Sequence, residues 1–404
     1  MKDVVKEITS MAIFNTKENN LIIEYQIVFQ KSIYNDTLIV HYNDDKISTD
    51  IIDTIFLNNY FKIFLAQLFL SETINNISCK SEEYIYFTEV LSALWRVRNL
   101  EEKSNFIFKG FNEINYIVDK VNINAPIINE LNVLNLVSGG KDSFASDILL
   151  AKNKRTIYRC YLDNLNIKSN EKEKEACSKL YPTFQSITLI GFERLVNLAV
   201  RTSDSLGDPP NHNFIPRGRD ILSIIFALPY AIINKCAYIS HSCERDLWLN
   251  NKPSDNGFIP LHDSQSKIVI SAISAHLKQK YGIGIFSPIA GMSEYYILSN
   301  LFNKYPNQIS QIQSCFYGDW CSECKKCIRY YLIQQRCGVK ILNFNDSIEN
   351  RVLEYKKKYE NAKDEHLPYY IALCDLFGIV DYSKELFKIY NDDLFPVFFT
   401  NNEL

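Results

Sequence analysis

The sequence carries almost no net charge. Its 44 Lys and Arg stand against 47 Asp and Glu in 404 residues, which leaves −3 with neutral histidines. That balance gives no general attraction for nucleic acid or for an anionic membrane surface, so neither is an expected partner; only a local basic cleft would escape such a count. A long apolar run is also missing. The nearest approach, Ile55 to Leu70, is broken by Asn58, Asn59, Lys62 and Gln67 and is too short and too polar to span a bilayer. The opening Met1-Lys-Asp-Val-Val-Lys-Glu lacks the apolar core of a secretory leader. The expected location is therefore the reducing cytoplasm, where clustered cysteines signal metal more often than disulfide. What is present is the composition of a soluble globular protein, 47% hydrophobic and 23% charged, long enough for two or three domains.

The most informative stretch is Leu131-Asn-Val-Leu-Asn-Leu-Val-Ser-Gly-Gly-Lys-Asp-Ser143. An apolar run from Leu131 to Val137 predicts a buried parallel strand, and a helix pattern (Phe144, Ile148, Leu149) follows the two glycines at once. Strand, tight glycine turn and helix start present backbone N–H groups and a positive helix end to an anion. Gly139 and Gly140 allow close approach of the backbone, Lys141 adds a point charge, and Ser138 and Ser143 add hydroxyls. The Walker spacing is absent, since that pattern needs four residues between its first glycine and its Gly-Lys-Ser/Thr. An ordinary glycine turn between strand and helix is the plainer reading.

From Val133 onward the pattern alternates strand and helix, as in a parallel α/β sheet with helices on both faces. Strands are expected at Val133–Val137, Thr156–Leu162, Ser186–Ile190 and Ala237–His241, with a charged helix from Lys168. Asp163, just after the second of these, falls where such sheets bind ligands, and equally suits a helix cap or turn. Before them, residues 1–128 read as an accessory α+β domain. It has strands at Leu21–Phe29 and Thr37–Tyr42, a turn over Lys31–Asp36, and helices over Ile51–Leu70 and Ser81–Leu100. Arg96 and Arg98 on the second helix suit a solvated face better than a docking patch. Residues 129–344 are expected to form the α/β domain that carries the glycine turn, and 345–404 a helical extension with helices near Asn350–Glu360, His366–Phe377 and Ser383–Tyr390.

Two polar segments belong to that α/β domain. In Asp208-Pro-Pro-Asn-His-Asn-Phe-Ile-Pro-Arg-Gly-Arg-Asp220, a Pro-rich loop runs into an apolar helix. Capping explains Asp220, but two cations, Arg217 and Arg219, oppose the helix dipole there, and an anionic ligand would resolve the conflict. In Ser240-His-Ser-Cys-Glu-Arg-Asp246, Glu244 and Asp246 are candidate contacts for Mg²⁺ or substrate, with pairing to Arg245 the structural alternative. Residues 247–266 have the composition of a lid, and His262 reads as a loop histidine before a proton shuttle.

Eleven cysteines are present, four of them in Cys315-Phe-Tyr-Gly-Asp-Trp-Cys-Ser-Glu-Cys-Lys-Lys-Cys327. Cys315, Cys321, Cys324 and Cys327 can wrap one tetrahedral ion, with Zn²⁺ favoured and an iron–sulfur cluster the runner-up. With all four positions filled by thiolate, the metal is structural. Cys79, Cys160, Cys177, Cys236, Cys243, Cys337 and Cys374 are expected in the core.

The Ser138–Ser143 loop is similar to the SGGxDS loop of the PP-loop ATP pyrophosphatases, which hold the pyrophosphate end of ATP and release it while AMP is transferred. Loop, Phe214-Ile-Pro-Arg-Gly-Arg-Asp220 and late cysteine site, in this order, resemble the 7-cyano-7-deazaguanine synthase (QueC) family over residues 131–335. The chain departs from the family. Leu162-Asp-Asn-Leu-Asn-Ile replaces a Y-G-Q segment, Arg217 is inserted before Gly218-Arg219, Asp220 replaces Asn, and residues 1–128 have no counterpart. These departures resemble the longer QueC-like proteins of CBASS- and Qat-type antiphage operons. The resemblance implies a PP-loop (HUP-like) fold. It also implies a carbon–nitrogen ligase that uses ATP and Mg²⁺ to activate 7-carboxy-7-deazaguanine, or a close relative, as the acyl-adenylate. The acceptor would be an amine, either ammonia or the N-terminal amine of a partner protein. Ser138, Gly139, Gly140, Lys141, Asp142 and Ser143 would then hold ATP, with Lys141, Asp142 and Arg219 catalytic. Arg217, Asp220, Glu244 and Asp246 would face the substrate. A housekeeping QueC-type nitrile synthase of queuosine biosynthesis, a MurL-like epimerase that adenylates a muropeptide glutamate, and a non-catalytic ATP-binding scaffold are the alternatives; a tRNA-thiolating enzyme is disfavoured by the missing basic domain.

Overall fold

In the computed structural model the described residues are 5–69, 74, 77–79, 81–102, 127–165, 170–202, 218–248, 250–254, 257–260, 262–315, 317, 319–361 and 375–378. The chain opens with three strands, β1 (Val5–Asn15), β2 (Asn20–Phe29) and β3 (Ile33–Tyr42), followed by α1 (Thr54–Leu68) and α2 (Ser81–Glu102). It continues through β4 (Asn129–Leu136), α3 (Lys141–Lys152), β5 (Thr156–Asp163), α4 (Asn170–Leu180), β6 (Gln185–Ile190) and α5 (Phe192–Thr202). Then come α6 (Arg219–Ile233), β7 (Cys236–Ser240), the short α7 (Arg245–Trp248) and a hairpin of β8 (Asn250–Ser254) and β9 (Gly257–Pro260). The last elements are α8 (Lys267–Tyr281), β10 (Gly284–Phe286), α9 (Glu294–Lys304), α10 (Pro306–Ile309), α11 (Lys325–Arg336) and α12 (Ser347–Asn361).

Eight strands form one sheet in the order β1-β2-β3-β6-β5-β4-β7-β10. β6, β5, β4, β7 and β10 run parallel, and β1 to β3 join as an antiparallel extension through β3 and β6. Counted from β4, the parallel part has the order 3-2-1-4-5, so the direction in which strands are added to the sheet reverses between β4 and β7. Such a switch point opens a crevice at the carboxyl ends of the strands. The fold is thus mixed α/β, with twelve helices among the described residues.

The N-terminal residues are α+β in content, but their strands are built into the main sheet rather than set apart from it. The alternation of Leu21, Ile23, Tyr25, Ile27 and Phe29 buries one face of β2 against α1. β3 begins earlier than expected, because the turn is shorter and Asn35 and Asp36 find partners inside the strand. Gln26 donates to Asn35 Oδ1 at 2.8 Å, and Arg194 clamps Asp36 at 2.8 and 2.9 Å.

Two cores cover the two faces. Side chains of α1, α2, α5, α6 and α8 share one with the strands, and those of α3, α4, α9 and α11 build the other. Cys79, Cys160, Cys177, Cys236 and Cys243 are buried free thiols, and Cys337 is half-buried; Cys374 lies outside the described residues. Arg96 is exposed, while the Arg98 side chain is outside what is described. The expected helix at Asn350–Glu360 is α12, and of the two beyond it only residues 375–378 are described. No helix among the described residues is long and apolar enough to cross a membrane.

One buried histidine makes a stability test of this core. His276 on α8 sits among Phe56, Tyr60, Tyr86 and Phe87, its Nδ1 3.0 Å from Tyr60 Oη. Burial first, and Lys280 beside it, push its pKa down to about 3. The unfolded chain therefore binds a proton that the folded chain refuses, so stability is full above pH 6.5 and is lost as pH falls toward 3. His276→Phe is expected to cost about 1 kcal/mol at pH 7 through the lost hydrogen bond. The same variant should spare about 2 kcal/mol of the loss between pH 7 and pH 5. Denaturant titrations at the two pH values check both signs.

Candidate functional site

The Ser138–Ser143 turn stands at the switch point. Val137 N still donates to Cys160 O (2.9 Å) as β4 ends, and Gly139 then takes φ +68°, the left-handed region that glycine enters without strain. Gly140 is the N-cap of α3 and offers no side-chain cap, so the first N–H groups of the helix are left for a ligand. The buried Ser143 hydroxyl braces the turn from within. It accepts from Ser138 N (3.3 Å), donates to Gly140 O (3.2 Å) and lies 3.2 Å from Tyr181 Oη. Gly139 also packs hard on α4: a Cβ there would lie 2.7 Å from Ala176 Cβ and 2.8 Å from Glu173 O. Gly139→Ala combines a strained φ with backbone overlap. It is expected to lower stability by about 2–4 kcal/mol, measured by denaturant unfolding.

Lys141 does not extend into the open turn. Its buried ammonium lies 2.6 Å from Asp142 Oδ1, 2.6 Å from Glu244 Oε2 and 3.6 Å from Glu294 Oε1. Burial alone would discharge it, but Asp142, Glu244 and Glu294 overcome that and hold its pKa well above the ordinary lysine range. Glu244, fully buried after β7, has its carboxyl raised by burial, and by Asp142, Glu294 and Asp246, against the pull of Lys141. Burial works to raise Glu294 too, yet Arg329 and Lys141 keep it below the usual value. Arg329 grips Glu294 through both oxygens. Asp246 Oδ2 accepts from Glu294 N at the start of α9 (3.2 Å), and its pKa is raised by burial although Arg245 counters. Glu244 and Asp246 thus lie in one charged cluster with the turn, and Asp246 also has the structural role of holding a helix end.

A second group gathers at the start of α6. Gly218 at φ +78° is its N-cap and gives no side-chain bond. Asp220 accepts from Ser264 Oγ (3.0 Å) and Gln265 Nε2 (2.9 Å), both just before α8. Burial opposes ionisation of Asp220, but Arg219, His241 and these two donors hold its pKa below the ordinary value. Asp220 is therefore fixed by tertiary hydrogen bonds beyond any capping role. Arg217 and the Pro-rich loop before it lie outside the described residues. Asp163 has structural partners: its oxygens take Asn170 Nδ2 and Lys174 Nζ, each at 2.6 Å, tying β5 to α4. His262 is exposed, and the expected lid contains the β8–β9 hairpin.

Beyond α4 a cavity of about 500 Å³ opens at the carboxyl ends of β5 and β6, lined among others by Asn164, Asn170, Gly191, Glu193 and Tyr317. α4 connects the two places, since its first residues line the cavity and its middle touches Gly139.

The four cysteines converge. The sulfurs of Cys315, Cys321, Cys324 and Cys327 all lie within 4.8 Å of one another, with Cys321–Cys327 at 3.8 Å and Cys324–Cys327 at 3.5 Å. Four Zn–S bonds of about 2.3 Å would place tetrahedral sulfurs about 3.8 Å apart, so the geometry fits such an ion. Ser322 at φ +62° bends the knuckle so that Glu323 N and Cys324 N both donate to Cys321 Sγ at 3.4 Å. The segment is stitched to the switch-point turn: Gln313 N donates to Gly139 O at 2.8 Å, and Tyr330 Oη to Ser314 Oγ at 2.8 Å. Arg329 leaves the same helix to reach Glu294.

Fold and site together define a mixed α/β protein with a glycine turn opening an uncapped helix, a buried carboxylate–lysine cluster at the sheet's switch point, and a four-cysteine site able to hold a metal such as zinc. Residues 275–373, which contain the cysteine site, Glu294 and Arg329, match a family of unknown function (DUF6395). No curated protein matches the chain.

Proposed function

We propose that the chain is a QueC-like PP-loop enzyme that adenylates a carboxylate, 7-carboxy-7-deazaguanine or a close relative, and transfers the acyl group to an amine. The observation that supports this most is the position of Ser138–Ser143. The turn follows β4 at the reversal of a 3-2-1-4-5 sheet and opens into the uncapped start of α3. Backbone N–H groups of the turn and of Lys141–Ser143 would take the pyrophosphate end of ATP, where they are fixed before the reaction and lose nothing to reorganisation. Mg²⁺, when bound, neutralises phosphate charge; Glu244 and Asp246 offer the oxygen donors that a hard cation prefers.

A carboxylate oxygen attacks the α-phosphorus and the bond to the bridging oxygen breaks, releasing pyrophosphate. The amine nitrogen then attacks the acyl carbon, expels AMP and loses a proton, leaving an amide. Arg219 at the mouth of α6 suits the incoming carboxylate. The cysteine site serves structure: a Zn²⁺ ion there would fix the segment that supports Gly139. An N-terminal amine of a partner protein, as in antiphage conjugation, is the acceptor suggested by the resemblance. The test is a product assay with ATP, the deazaguanine carboxylate and an amine. Equal amounts of AMP and pyrophosphate are expected; ADP, or no ATP turnover with any carboxylate, would overturn the proposal.

A further inference from the structure

The carboxyl end of β7 holds polar atoms that the protein itself leaves without partners. Ser240 pairs in register with Asn135 of β4, whose amide donates to Ser143 O and Asp147 Oδ1, so Ser240 shares the α3 face. The next residue, His241, turns to the opposite face, where α6 begins. Its backbone N donates to Phe286 O (3.0 Å), but its ring Nε2 has no partner although the residue is only 8% exposed. Ser240 Oγ and Ser242 Oγ on either side are likewise unpartnered. A buried polar atom left so costs about 1–3 kcal/mol unless a ligand or water supplies the bond.

His241 also has a defined neighbour. Asp220 interacts with it electrostatically and is oriented by Ser264 and Gln265, one donor on each oxygen. A carboxylate has about four lone-pair sites, so Asp220 keeps acceptor capacity after both bonds. A fixed anionic acceptor beside an imidazole with a free nitrogen, at the mouth of a helix carrying Arg219, suits a planar heteroaromatic ring. Such a ring would bear N–H donors on one edge and a carboxylate elsewhere. Burial keeps the imidazole neutral, since desolvation lowers its pKa and Arg219 adds to that against the pull of Asp220. Neutral imidazole offers one donor and one acceptor.

We propose that His241 and Asp220 read the polar edge of the substrate's ring, His241 through Nε2 and Asp220 as acceptor of ring N–H groups, while Arg219 takes the carboxylate. This rests on the deazaguanine reading above, which it deepens by separating ring recognition from carboxylate activation.

Calorimetry on the full chain tests it with three probes: 7-carboxy-7-deazaguanine, 7-deazaguanine without the carboxylate, and ATP. His241→Ala is expected to weaken both ring ligands by about tenfold or more while ATP binding stays within about twofold. His241→Gln, which restores a donor and an acceptor near Nε2, should recover part of the loss. Arg219→Ala should weaken the carboxylated ring alone. Thermal melting of each variant shows that it is folded. Unchanged ring affinity in folded His241→Ala, or an equal loss for ATP, would overturn the proposal. Wild-type protein that forms AMP with another carboxylate but binds neither ring would overturn this inference and leave adenylation standing. Ring binding that depends on His241 without AMP formation would do the reverse.

Discussion

Lys141→Met should destabilise the protein by about 3–5 kcal/mol, the usual cost of removing one partner from a buried ion pair. Lys141 is the cation shared by Asp142, Glu244 and Glu294, and it lies 2.6 Å from the fully buried Glu244. Without the ammonium, Glu244 must stay protonated or face uncompensated negative charge in a buried place. Changing Glu244 to Gln in the same chain removes that charge, so Lys141→Met/Glu244→Gln should regain most of the lost stability. Turnover should not follow. Under the proposed activity the lysine supplies positive charge beside the pyrophosphate, and losing one such group typically costs 10²–10³-fold in rate, about 3–4 kcal/mol. Denaturant unfolding and AMP release, measured on the single and double variants, separate the two roles. Recovery of both stability and turnover in the double variant would reduce Lys141 to a structural counter-ion.

Loss of a zinc ion from the four-cysteine site, whose geometry is able to hold one, is the second change with a large expected effect. Cys327→Ser, or prolonged chelation, should release about one zinc ion per chain and expose the remaining clustered thiols to titration. More than the knuckle would then loosen. Gln313, two residues before Cys315, holds Gly139 by its backbone N–H, and Arg329, two residues after Cys327, holds Glu294 beside Lys141. Destabilisation of about 3 kcal/mol or more is expected from ligand loss, with AMP formation falling in step with metal content. Metal analysis, thiol titration and turnover on the same samples check this. Full activity in protein stripped of metal would contradict the link between the cysteine site and the turn.

Local chemistry made much of this architecture readable in advance. Each parallel strand from β4 to β7 carries its own apolar run. Gly139-Gly140 and Cys321-Ser-Glu-Cys324 announce their turns through residues a few positions apart. Features built from distant residues stayed hidden. β1 has only Ile8 fully buried and carries Thr9 and Ser10 mid-strand, so its alternation is weak. β10 spans three residues, too few for any period to show. The union of β3 with β6 pairs Tyr42 with Ile187, a long-range contact that no local pattern encodes. In the sequence, Glu294 and Arg329 carry no local signal that sets them apart from other helix residues. The packing of α9 against α11 brings them together and sets Glu294 beside Lys141. Asp163 stayed open in the sequence, since a strand-end aspartate suits a ligand and a structural network equally, and the structure shows Asn170 and Lys174 on its oxygens.

The measurement that bears most directly on the proposed activity follows an oxygen atom. With 7-carboxy-7-deazaguanine labelled with ¹⁸O in its carboxylate, adenylation and aminolysis must leave one labelled oxygen in AMP. Mass spectrometry of the nucleotide should therefore show AMP heavier by one ¹⁸O, formed together with unlabelled pyrophosphate. Unlabelled AMP, or ADP in its place, would contradict carboxylate activation at the Ser138–Ser143 turn.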